Sequence, residues 1–410
     1  MKKKYIIFII AFLFLSLGTW RLSRFVSEYR ADASARAEQR AKQQAEQAAK
    51  KAQAEVIDNI INSRRVDSVT AEKADVFGSD DQVKILLIGV DKRAGQTAGH
   101  CDVIQLITVD LKKQSVTITA VPRGTYSPLP PGKGATSSDY YVSNACGLGG
   151  LDYGIKQIEK ILGQKEDYLV VVGFSEALGI LRNLKLPTTE TLQWLRHRQG
   201  YAIGEPQRAH NHSTFIKQMI IKYFGEKNNS LDKALQYVVY KIVKTDLSFA
   251  QTQSIADVLA GMDLIKKPER IQLAMRPAYT VQDIPYAPEK LGEYLDKMIT
   301  PIKSHLSKDD YSGTPEAAIE EKLLKMIDEK KSDKGFMAWA YENNLWLQIE
   351  TNEKRLNAQS DILGKYLEQI STSSDRQALI SDYILEMENY GEQAWAATGT
   401  AWLKKELGQQ

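Results

Sequence analysis

Neither sign of charge is in excess here: 54 basic and 51 acidic residues leave a formal net charge of +3. Net charge therefore gives no argument for a nucleic-acid partner, and none is expected; only the placement of charge is informative. Cysteine is nearly absent as well. The two present, Cys101 and Cys146, fit in number a chain that works outside the cytoplasm. Residues 27–65 contain no glycine or proline and are dominated by Ala, Gln, Glu, Lys and Arg, which predicts helix. The same stretch lacks a sustained stripe of large apolar residues. A solvated stalk is expected rather than a strong coiled coil, and at ~1.5 Å per residue it would hold the next domain some ~50 Å from its base.

Long apolar runs are confined to the N-terminus. Lys2, Lys3 and Lys4 precede the uncharged run Tyr5 to Trp20, and Arg21 and Arg24 come after it. Snorkelling basic flanks complete a span of this length, and the N-terminal lysines favour a cytoplasmic start. The competing reading is a cleaved secretory signal. Small-residue sites such as Ala33-Ser34-Ala35 lie beyond both arginines, which favours an uncleaved anchor. The expectation is a single-pass transmembrane anchor at 1–25 and a helical stalk at 26–75, with everything later outside the cell membrane.

The stretch Val83 to Tyr126 organises the rest of the chain. Its apolar runs KILLIGV, VIQLITV and VTITAV are short and β-rich, and the first and last end in charged, turn-prone clusters. Asp91 and Arg123 thus reach one edge of a sheet. If the first two strands are antiparallel neighbours, Asp102, which opens the middle strand, lies beside Asp91. Two carboxylates and a guanidinium at a strand-end crevice suit a metal and a phosphate, although for each alone an ordinary solvated strand-end charge is the favoured reading.

Further along, Ser127 to Ser138 is a Pro/Gly/Ser-rich loop, Gly149-Gly150 precedes an amphipathic helix, and Tyr168 to Phe174 reads as a buried strand followed by helix from Ser175 to Leu184. Helix is expected from Phe215 to about Leu259, and a late edge strand in Glu269 to Pro277. This alternation predicts an α/β fold, an α/β/α sandwich with a mixed central sheet, over residues 76–301. Residues 302–410 are helical by period and form an all-α appendage whose tryptophans, Trp339, Trp346, Trp395 and Trp402, read as core residues.

Trp194 to Phe215 holds Arg196, Arg198 and Arg208 with Glu205 between them. In an extended segment Arg196 and Arg198 share a face, and such arginines are either solvated or grip an anion. His197, His210 and His212 lack an acidic or cysteine ligand spaced to complete a metal site, so solvated or supporting histidines are expected.

Taken in order, LLIGVDKR, HCD, AVPRGTY, the paired glycines before a helix, LRHRQGYAIGEPQR and KTDLS resemble the LytR-CpsA-Psr family over about residues 80 to 300. The resemblance implies a membrane-anchored phosphotransferase that moves an anionic glycopolymer from a polyprenyl-pyrophosphate carrier to peptidoglycan. It makes Asp91 and Asp102 the ligands of Mg²⁺ or Mn²⁺. Arg123, Arg196, Arg198 and Arg208 become pyrophosphate-holding residues, with Arg93, His100 and Glu205 as further substrate contacts. The chain departs from the pattern at His100 and Cys101, where the family carries Arg-Ser, at Gly124, where an acid is usual, and at Asn211-His212, where Arg-Gln is common. The stretch between Leu184 and Trp194 is also short and lacks a Gly-Gly-Val strand. Cys101 reads as a packing residue or as a disulfide partner of Cys146, not as a nucleophile. Two rivals remain: a protein that binds lipid-linked polymer or regulates envelope assembly without catalysis, and a polyprenyl-pyrophosphate hydrolase.

Overall fold

A computed structural model describes residues 76–91, 99–197, 204–225, 233–299 and 316–408. The anchor expected at 1–25 lies outside these residues, as does the stalk apart from Arg40, Lys42 and Gln44, which are helical. Among the described residues no helix is long and apolar enough to cross a membrane.

The three β-rich runs fold into β1 (Gln82–Asp91), β2 (His100–Asp110) and β3 (Ser115–Ala120), joined in antiparallel register. β4 (Tyr168–Gly173) lies parallel to β1, the two-residue β5 (Lys244–Thr245) antiparallel to β4, and β6 (Ile271–Met275) parallel to β3. The order β5-β4-β1-β2-β3-β6 makes a mixed sheet and leaves β6 at the expected edge. Alternation with period two divides the side chains between the faces. Leu86, Ile88, Ile104, Leu106, Leu169 and Val171 pack with α1 (Val142–Gly149) and α2 (Leu151–Leu162).

The opposite face packs Val83, Val109, Val116, Ile118 and Ile271 against Ile220, Ile255 and Leu259. These last three belong to α5 (Glu205–Phe224) and α7 (Phe249–Gly261). The three layers match the predicted sandwich. Between them in sequence run α3 (Phe174–Asn183), α4 (Thr188–Arg196) and α6 (Lys233–Ile242); α8 (Leu291–Ile299) packs on α4 through Leu291 and Leu295 around Trp194.

Cys101 and Cys146 form a disulfide, with Cα atoms 5.9 Å apart, that ties the start of β2 to α1. Replacing both by serine reopens a loop with a sequence separation of 45 in the unfolded chain. The expected loss is about 2–4 kcal/mol of stability, read as a lower urea midpoint.

The C-terminal region is all-α, as expected: α9 (Glu316–Glu329), α10 (Lys334–Glu342), α11 (Asn352–Leu367), α12 (Ser373–Tyr390) and α13 (Gln393–Gly408). It does not stand apart, because residues 53–410 gather into one compact unit. Leu347 packs where Gly179 of α3 leaves no Cβ, and the Arg182 guanidinium donates to the Leu347 carbonyl at 3.1 Å and pairs with Glu350 at 3.3 Å. Val238 and Ile242 of α6 enter the same core as Leu323, Phe336 and Trp346. Trp339, Trp395 and Trp402 pack at the margins of these helical cores. The C-terminal helices thus buttress α3 and α6 from behind.

Candidate functional site

The crevice forms where β1 ends and β2 begins. Gly89 pairs with Val103 and Val90 with Cys101, so Asp102 is the extra residue of a β-bulge. A Cβ on Gly89 would lie 2.7 Å from Cβ of Val103; only glycine lets the strands close at this point. The bulge corrects the expected alignment. The residue opposite Asp91 is His100, and Asp102 sits further along β2. Of Asp91 only the backbone is described, and Arg93 and Arg198 lie outside the described residues.

Four charged side chains alternate in sign across the crevice. The Arg123 guanidinium donates Nη1–H to Asp102 Oδ1 at 2.5 Å, and its Nε lies 4.0 Å from Glu205 Oε1. Glu205 Oε2 is in turn 2.7 Å from Arg208 Nη2. Glu205 and Arg208 stand three apart in the first turn of α5, where a carboxylate also meets the positive end of the helix dipole. Gly204, with φ +62°, turns the chain into that helix. α5 is pinned to the sheet beside the crevice: the Gln105 side chain of β2 donates to the Ala209 carbonyl at 3.0 Å and accepts from Ser213 Oγ at 2.7 Å. Arg208 is only 6% exposed, a burial that its ion pair with Glu205 makes tolerable.

Arg196 is not in an extended segment, contrary to expectation. Thr191 and Trp194, three apart, are buried on one face of α4, and Arg196 is that helix's last residue. Its guanidinium lies over the Phe174 ring, 5.9 Å from the centroid. Beneath these groups is a cavity of about 460 Å³. Sheet residues such as Val90, Val103 and Val172 form its floor, and apolar residues of α3, α4, α5 and α6 wall it; Asp102, Arg196, Arg208 and His212 are among its polar lining groups. The short stretch before Trp194 thus becomes a helix that roofs the chamber in place of a strand. The ring of His100 lies against Gly147 of α1.

The histidines are buried, which excludes solvated rings and leaves the expected alternative of supporting ones. His210 Nε2 meets Asp283 Oδ1 at 2.6 Å, and His197 is enclosed at the end of α4. His212 stands one turn after Arg208 on α5, a spacing that could have placed it beside the site. Its Nε2 lies 2.7 Å from the Leu195 carbonyl, to which the neutral ring donates. Burial, and then the Arg208 charge, push its pKa down to about 4. The ring therefore stays neutral in the folded chain while the unfolded chain protonates near 6.5. The contribution to stability is complete above pH 6.5 and is lost progressively as pH falls towards 4, by up to about 3 kcal/mol. Urea midpoints measured across this window should fall less steeply in His212→Gln.

The fold is a mixed α/β/α sandwich whose apolar chamber carries Asp102, Arg196 and Arg208 in its lining. The sequence model of the LytR_cpsA_psr family matches residues 33–180. Over these residues the chain resembles the LytR-CpsA-Psr family. Among curated relatives it is similar to the polyisoprenyl-teichoic acid–peptidoglycan teichoic acid transferase TagU of Bacillus cereus, 26% identical over 203 residues, or 48% of this chain and 64% of that protein. TagU of Bacillus anthracis is 28% identical over 185 residues, covering 44% and 58%. The chain therefore spans less than two thirds of the length of these relatives. Among solved structures, Bacillus subtilis TagV aligns with a TM-score of 0.40 at 15% identity over 54% of this chain and 98% of that one. TagT bound to LIIa-WTA aligns with a TM-score of 0.36 at 16% identity over 54% and 91%. The family match ends before Arg196, Glu205 and Arg208, so their place in the site rests on the geometry.

Proposed function

We propose that this chain transfers a glycopolymer from a polyprenyl-pyrophosphate carrier to peptidoglycan, held at the outer face of the membrane by residues 1–25. The observation that carries the reading is the cavity itself: an apolar chamber lined by Asp102, Arg196 and Arg208 on its polar side complements a ligand with a hydrocarbon tail and an anionic head. Arg123, Arg196 and Arg208, with Arg198 and Arg93 from the flanking segments, would bind the pyrophosphate and neutralise charge on the departing polyprenyl phosphate. An acceptor sugar hydroxyl attacks the polymer-side phosphorus in line. The new P–O bond forms as the bond to the bridging oxygen breaks, and the hydroxyl proton passes to a carboxylate of the ladder, Asp102 or Glu205.

Asp91 and Asp102 offer hard oxygen donors on neighbouring strands, a donor type that suits Mg²⁺ or Mn²⁺ with water and phosphate completing the shell. A cation bound there would supply further neutralisation of pyrophosphate oxygens. The test is turnover of a short polyprenyl-pyrophosphate-linked glycan by the full-length chain, with purified peptidoglycan as acceptor, with and without Mg²⁺. Covalently linked polymer and released polyprenyl phosphate, both lost in Asp102→Ala, are the expected products. Free polymer phosphate would instead identify a hydrolase, and binding without turnover a non-catalytic binder.

A further inference from the structure

Tyr126 is the most exposed large hydrophobic side chain among the described residues, at 71%. It stands three residues after Arg123 in a short antiparallel pairing with Tyr141, itself 40% exposed. Partners across such a bridge project to the same side. The half-buried Tyr140 ring stacks on Tyr126, with centroids 6.3 Å apart and planes 14° from parallel. An isolated exposed ring is ordinary on a protein surface, but a stacked pair with a third exposed tyrosine bridged to it by backbone, three residues from Arg123, forms a patch.

The patch is built to hold its shape. Ser127 N–H donates to the Tyr140 carbonyl at 2.9 Å and Val142 N–H to the Thr125 carbonyl at 2.8 Å. The Asp139 carboxylate accepts from the Ala135 and Thr136 amides, and the Tyr153 hydroxyl donates to the Pro128 carbonyl. Residues 127–140 contain one basic side chain, Lys133, and one acidic, Asp139, so the loop carries no excess of positive charge for a polyanion. Ring faces with hydroxyl tips suit the flat apolar faces and peripheral hydroxyls of uncharged sugars. The backbone from Arg123 to Tyr126 spans at most about 11 Å, which puts such a sugar next to the transfer site.

We propose that Tyr126, Tyr140 and Tyr141 form a docking platform for the acceptor glycan, stacking uncharged sugar rings of peptidoglycan beside the pyrophosphate. The proposal rests on the transferase reading, and its test separates the two. Full-length wild type, Tyr126→Ala, Tyr141→Ala and Tyr126→Phe are co-sedimented with purified insoluble peptidoglycan, and binding of polyprenyl pyrophosphate is measured in parallel. The expected result is about three- to tenfold weaker sedimentation of each alanine variant. Tyr126→Phe should keep most of the affinity, and polyprenyl-pyrophosphate binding should be unchanged in all four. Equal sedimentation of all four proteins overturns the platform, as does a parallel loss of polyprenyl-pyrophosphate binding in the alanine variants. Failure of wild type to bind polyprenyl pyrophosphate strikes the transferase reading instead, and leaves the sedimentation comparison to be judged by its own result.

Discussion

Arg208→Ala is expected to lower turnover of a polyprenyl-pyrophosphate substrate by about 10²–10³-fold, the usual cost of removing one preorganised donor from a charge-developing site. Arg208 is nearly buried, lines the cavity and is aligned by Glu205 at 2.7 Å. Its guanidinium needs no reorganisation to meet an anion. Arg208→Lys keeps the charge but loses the rigid fork, so it should recover only part of the rate. The alanine variant also removes the nearest cation to Glu205, leaving the longer 4.0 Å approach of Arg123, and should be less stable. Adding Glu205→Gln removes the less well compensated charge, so the double variant should regain part of the stability while turnover stays low. Urea denaturation and product release, measured on the same preparations, separate the two effects. Equal rates for wild type and Arg208→Ala would remove the phosphate role from this end of α5.

The largest expected loss of stability comes from Trp194→Ala, about 3–5 kcal/mol. Trp194 is 1% exposed and meets the Tyr286 ring edge-on at 5.4 Å; Phe215 of α5 holds the same ring at 4.9 Å. The Tyr286 hydroxyl is 2.7 Å from Thr191 Oγ1, so Trp194, Thr191 and Tyr286 together clamp α4 onto α5. Arg196 ends that helix two residues later. The truncation should therefore lower the urea midpoint and also loosen Arg196 from its place over Phe174, raising KM for the lipid substrate. Trp194→Phe should restore most of both. A normal midpoint in Trp194→Ala would show that the clamp is held elsewhere.

Local pattern is enough for the sandwich. The runs around Leu86, Ile107 and Ile118 alternate or are apolar at strand length, and turn residues bound them, so strand order in the first hairpins comes from short connections. The first half of the crevice is legible for the same reason, since Asp102 and Arg123 stand beside strand ends whose positions the pattern sets.

Local pattern does not supply alignment between segments distant in sequence. The bulge at Asp102 arises from the approach of Gly89 to Val103, and no periodicity marks a one-residue slip. Arg196 reads as extended because Arg-His-Arg alternates, whereas burial of Thr191 and Trp194 against Tyr286 and α8 makes the preceding residues helical. His212 reads as solvated or supporting, and only the packing of α5, which sets it beside Arg208 and Leu195, decides for the second. The C-terminal helices, likewise, read as an appendage from their own composition, and their contacts with Gly179, Arg182 and Val238 make them the support behind α3 and α6. Composition and periodicity were thus sufficient for the layers, the disulfide candidates and the charged residues available to the site. Which charges meet, and that an apolar space lies beneath them, emerged from packing alone, because pairing and enclosure join elements that share no local signal.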